Sequence, residues 1–90
     1  MKRQIWKFEL EPSGEPIQMP DGAVVLAVQA QGEKPCIWAA VDPKAKNTSR
    51  YFVTVPTGHP FEMDDLEYLG TFQLQNGALV FHVFEDCHRV

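Results

Sequence analysis

Ninety residues with 44% hydrophobic content suffice for one domain with a single core, and they exclude a disordered tail. Eight Lys and Arg against twelve Asp and Glu leave a net charge of −4. That balance argues against general nucleic-acid binding, which needs a basic face to release counterions.

The chain alternates short β-type runs with turn clusters. Residues 4–10, QIWKFEL, place Trp6, Phe8 and Leu10 on one face of a first strand by period two. EPSGEP breaks that strand. PIQMP is at most a short edge strand, because Pro16 and Pro20 cannot donate to a ladder. Residues 21–31, DGAVVLAVQAQ, are apolar on both faces through Val28, which predicts a central strand covered on both sides. Residues 36–42, CIWAAVD, are again apolar on both faces.

DPKAKNTSR follows as a loop carrying Lys44, Lys46 and Arg50, and residues 50–57, RYFVTVPT, form a β-branched and aromatic strand. EMDDLEYLG fits either one helical turn capped by Asp64 or direct entry into a strand. The clearest local signal is YLGTFQLQNGALVFHVFED, a hairpin with Asn76-Gly77 as its type I′ turn, since both central residues must take positive φ. That turn opposes Gln75 to Ala78, Leu74 to Leu79, Phe72 to Phe81 and Thr71 to His82. One face then carries Phe72, Leu74, Leu79, Phe81 and Val83 and is core. The other carries Leu69, Thr71, Gln73, Val80, His82 and Phe84 and is mixed.

Six or so strands and no long helix predict an all-β fold, a compact antiparallel β-sandwich or flattened barrel forming one domain over residues 1–90. Such a domain cannot give every strand two buried faces. Part of the apolar surface is therefore expected to meet a second subunit, most simply as a homodimer.

No apolar run of about 18 residues is present to span a bilayer. MKRQIWKFEL lacks the apolar stretch and cleavage site of a signal peptide, so a cytoplasmic protein is expected. Cys36 and Cys87 form no CxxC motif, and Cys36 reads as a buried reduced thiol. EMDDLE lacks the alternating oxygen ligands and central glycine of a calcium loop. On one strand, His82 and His88 lie about 20 Å apart, too far to share a metal unless the chain turns after Phe84. No metal and no cofactor is expected. His82 opposite Thr71 reads as a hydrogen-bonded cross-strand pair.

The segment VPTGHPFEMDD, residues 55–65, draws the eye as a site. Gly58 lets the backbone approach a ligand, and His59 titrates in a range suited to anion contact or proton transfer. The plainer reading is turn punctuation by Pro56, Gly58 and Pro60. Nucleophile elbows and phosphate-cradling glycine loops are absent, so an enzyme is the minority reading. Its form would be a small hydrolase using His59 with Glu62 or Asp64.

The blocks IWKFEL, PCIWAAVDP, TGHP and GTFQL…GALVFHVFE resemble a family of small all-β proteins of phages and bacterial prophages, over nearly the whole chain. That family brings no activity to transfer. The resemblance implies an accessory product acting in the host bacterial cytoplasm. The expected function is binding: inhibition of a host defence factor, or sequestration of a nucleotide-like signalling ligand. For a nucleotide, Arg50 and Lys44 would supply charge, His59 with the Thr57 and Gly58 backbone would hold a phosphate, and Trp38 or Tyr51 would stack on the base. The other reading is a minor virion or structural oligomer.

Overall fold

In the computed structural model, which describes residues 1–11 and 13–88, turn residues divide the chain into eight short strands. They are β1 (Gln4–Glu9), β2 (Ile17–Pro20), β3 (Val24–Gln31), β4 (Lys34–Val41), β5 (Asn47–Arg50), β6 (Phe52–Pro56), β7 (Leu66–Leu74) and β8 (Leu79–Asp86). All pairing is antiparallel, in three sheets ordered β1-β4-β3, β2-β5 and β6-β8-β7. The expected all-β fold is present. It is sandwich-like, with open sheets in place of a closed barrel.

The Asn76-Gly77 turn forms as its sequence requires. Asn76 and Gly77 take φ of 55° and 89°, and the Ala78 N–H donates to the Gln75 carbonyl at 3.0 Å. Below it the ladder pairs Leu74 with Leu79, Phe72 with Phe81 and Thr71 with His82. One expected position moves. Uninterrupted alternation puts Leu69 on the face of Thr71, yet a bulge between Tyr68 and Gly70 resets the period and Leu69 packs on the core.

Two other expectations are corrected. β3 is an edge strand, and β4 is the central one. In β3, Val24 and Leu26 stay 51% and 54% exposed, Leu26 lying in a bulge between Val25 and Ala27. Apolar composition on both faces did not mean cover on both faces. The run at 50–57 splits at Tyr51 into β5, which pairs with β2, and β6, which pairs with β8. Part of the expected basic loop is thus strand. Of the two readings of EMDDLEYLG, direct entry into a strand is the one present: Asp65 takes φ of 60° in a tight turn and β7 starts at Leu66.

The core lies between the two three-stranded sheets. Leu10, Val28, Ile37, Phe72 and Val83 form its centre, and Met19, Ala23, Ala39 and Val41 form a second cluster. Phe8, Ile17 and Phe52 touch both. Each fully buried Val, Leu, Ile, Phe or Met side chain contributes about 1.5–3 kcal/mol, which makes these clusters the main stabilising term. Gly70 lets β7 close on β3, since a Cβ there would lie 2.9 Å from the Val28 Cβ.

Candidate functional site

The TGHP segment is a turn at the end of β6. The His59 N–H donates to the Pro56 carbonyl at 3.2 Å, and Gly58 takes φ of 93°, as the third position of a type II turn requires. The turn brings Thr57 onto β8, where its N–H and hydroxyl donate to the Val80 carbonyl at 3.0 and 3.2 Å.

From Thr57 a chain of polar contacts crosses the outer face of the β6-β8-β7 sheet. Thr57 Oγ1 lies 2.7 Å from His82 Nε2, and His82 Nδ1 lies 2.9 Å from Thr71 Oγ1. Thr71 Oγ1 in turn lies 2.5 Å from the Tyr68 hydroxyl. With the Thr57 proton on the Val80 carbonyl, one assignment satisfies every member. Tyr68 donates to Thr71, Thr71 donates to His82 Nδ1, and His82 Nε2–H donates to Thr57. The expected His82–Thr71 pair is thus one link of a longer relay.

Beside the relay stands an aromatic ridge. Phe84, 5% exposed, is covered by Phe61 at 5.2 Å between ring centroids and by the edge of Tyr68 at 5.6 Å. The covering residues remain open to solvent: Phe61 is 46% exposed, Tyr68 56% and Met63 57%. Glu62, Asp64, Asp65 and Glu67 are exposed in the same stretch of chain. The ridge therefore combines flat apolar area with hydrogen-bonding hydroxyls, within a stretch of chain rich in exposed carboxylates.

Of the residues proposed for a nucleotide, Thr57 belongs to the relay and the others lie elsewhere. Thr57, Gly58 and His59 sit together in the turn, where the His59 ring makes no hydrogen bond or ion pair among the described residues. Arg50 and Tyr51 lie at the other end of β6, a five-residue strand spanning about 13 Å. Arg50 is already engaged. Its Nε and Nη2 donate to the two Glu85 carboxylate oxygens at 2.7 Å each, and its Nη1 donates to the Ala23 carbonyl at 2.5 Å. The Glu85 hydrogen bonds raise its pKa above the ordinary value, against an opposing effect of burial. The Tyr51 carbonyl accepts the Asp86 N–H at 2.8 Å. Lys44 is exposed in the turn after β4, where its N–H donates to the Asp42 carboxylate at 3.0 Å. Trp38, half-buried, is paired between Lys7 and Ala27 in the other large sheet.

Two clefts bear on the ligand readings. One of about 280 Å³, between the sheets, is lined by Leu10, Pro35, Thr54, Phe72, Leu74 and Phe81, with Glu11 as its charged group. It suits an apolar group. The other, about 420 Å³, holds Arg50 with Asp21, Glu85 and Asp86, so its carboxylates outnumber its cation. That field opposes an anionic ligand.

Sequence reasoning paired His82 with Thr71 but missed Phe61 and Tyr68 as one surface. The bulge at Leu69 sets Tyr68 opposite Phe84, and no turn residue announces it. Among the described residues, no three His, Cys, Asp or Glu side chains are placed to hold a metal, and no helix is long and apolar enough to cross a membrane.

No curated protein and no solved structure matches the chain. A family described as Domain of unknown function (DUF7352) matches residues 1–89, and the chain belongs to that family.

Proposed function

We propose that this is a small phage-type accessory binding protein that inhibits a host factor, such as a defence protein, in the bacterial cytoplasm. It acts by docking a basic protein surface on the ridge of Phe61 and Tyr68. The observation that carries this reading is the solvent exposure of both rings and Met63 within an acidic stretch. Aromatic residues and Met are enriched at protein interfaces, and complementary charge steers association and excludes wrong partners. The nucleotide branch is weaker on electrostatic grounds. Its main cation, Arg50, is neutralised by Glu85, and Lys44 lies outside the cleft that holds Arg50.

A structural role in a particle rests on a different observation, the exposed Ile5, Val24 and Leu26, and requires the protein in purified virions. A hydrolase built on His59 needs Glu62 or Asp64 within reach of the ring, and no such contact is present among the described residues.

The test compares immobilised wild-type protein with a Phe61→Ser/Tyr68→Ser variant in lysate from a bacterial host. One host protein should be retained by the wild type and lost by the variant, with retention falling as salt rises. Equal retention by both, or capture indifferent to salt, would overturn the ridge as the docking surface.

A further inference from the structure

A strand at a sheet edge carries unpaired backbone donors and acceptors, and folded proteins guard such edges with proline, glycine, bulges or charge. Most strands here are guarded. β2 ends on Pro20 and β6 on Pro56, β3 and β7 carry bulges, and β5 is four polar residues. β1 is the exception. Its six residues, QIWKFE, contain no proline or glycine, and its ladder with β4 runs without a bulge. Its other edge meets no strand among the described residues.

The lysine of β1 is turned away from that edge. Lys7 reaches across the sheet, its Nζ donating to Gln31 Oε1 at 2.7 Å. Ile5 is 65% exposed and Trp6 37% exposed. Ile5 shares a row with Ala40 and Val24 on the outer face of the β1-β4-β3 sheet.

We infer that β1 pairs antiparallel with β1 of a second copy of this chain, about a two-fold axis at Trp6, joining two three-stranded sheets into one of six strands. Face and charge narrow the register, and an axis at Phe8, which would oppose Lys7 to the second copy's Glu9, calls on a lysine that Gln31 already holds. Residues directly opposed across an antiparallel pair share a face, so a two-fold axis normal to the sheet must pass through a residue. An axis at Lys7 opposes Lys7 to Lys7 of the second copy, and an axis at Ile5 opposes Arg3 to the second copy's Lys7. Like charges directly opposed are destabilising. An axis at Trp6 opposes Trp6 to Trp6, Ile5 to the second copy's Lys7, and Arg3 to the second copy's Glu9, an opposite-charge pair made twice by symmetry. Arg3 and Glu9 are free to contribute. Their present partners are the Gly22 carbonyl at 3.4 Å and a largely exposed Lys34 at 3.9 Å.

This surface is separate from the aromatic ridge, and its test does not depend on that reading. Sedimentation equilibrium over a range of protein concentrations gives the dimer dissociation constant. Ile5→Lys, at an exposed position, sets like charges opposite each other twice and should raise that constant at least about tenfold while the circular dichroism spectrum is kept. Glu9→Arg should also weaken the dimer, and Arg3→Glu/Glu9→Arg should restore it to within about threefold. A wild-type protein that stays monomeric at millimolar concentration overturns the inference. So does a dimer indifferent to Ile5→Lys, and failure of the double charge swap to restore binding overturns the register.

Discussion

Arg50 joins all three sheets. It stands on β5, donates twice to Glu85 on β8, and donates once to Ala23 at the entrance of β3. The Arg50 and Glu85 side chains are 20% and 15% exposed, so water screens the pair only in part. Removing one partner of a buried pair costs about 3–5 kcal/mol, because the other charge is left uncompensated. With the partial exposure here, Arg50→Met or Glu85→Leu should each cost about 2–3 kcal/mol. In a domain of this size each kcal/mol lowers Tm by about 4–8 °C, so either variant should melt about 8–24 °C below the wild type. Replacing both removes the charges together. Arg50→Met/Glu85→Leu should cost about 1–2 kcal/mol, leaving a coupling energy of about 2–5 kcal/mol. Urea unfolding followed by tryptophan fluorescence gives all four stabilities. A coupling energy below about 0.5 kcal/mol, the range of independent sites, would refute the view that this pair holds the sheets together.

Three further outcomes are expected. Gly70→Ala should destabilise by about 1–2 kcal/mol in urea unfolding, because the new Cβ meets a Val28 Cβ that cannot rotate away; a neutral result would contradict the close approach of β7 to β3. Thr71→Val should cost about 1 kcal/mol and alter the His82 ring-nitrogen shifts in NMR, since it removes the link to His82 Nδ1; unchanged shifts would exclude the relay. Slight burial, then the charges of Glu85, Glu67, Asp86 and Asp65, hold the Cys87 thiol above its ordinary pKa. At pH 8 less of it is thiolate, so Cys87 should alkylate more slowly than a free cysteine peptide and gain rate as pH rises. Cys36, 1% exposed, should react only on unfolding, and equal rates for the two thiols would contradict their placement.

What the sequence discloses depends on whether a local rule governs the residue. Asn76-Gly77 permits essentially one turn, and that turn alone fixes the β7–β8 register from Leu74–Leu79 down to Thr71–His82. The bulges at Leu26 and Leu69 follow no such rule. They reflect how one sheet must bend to meet another, so the exposure of Leu26 and the burial of Leu69 are settled by tertiary packing. The site divides the same way. Gly58 marks its turn, and His82 opposite Thr71 follows from the hairpin register. Arg50 read as a free cation because its partner, Glu85, lies 35 residues away across a different sheet. Phe61 reaches Phe84 through a loop whose path no periodicity encodes.

Binding of a protein partner through the ridge is tested most directly by native mass spectrometry of the tagged protein purified from phage-infected host cells, before and after denaturation. The expected spectrum shows a complex of defined stoichiometry with one host protein, which separates on denaturation and is absent for Phe61→Ser/Tyr68→Ser. A nucleotide-sized adduct retained by both wild type and variant would contradict it.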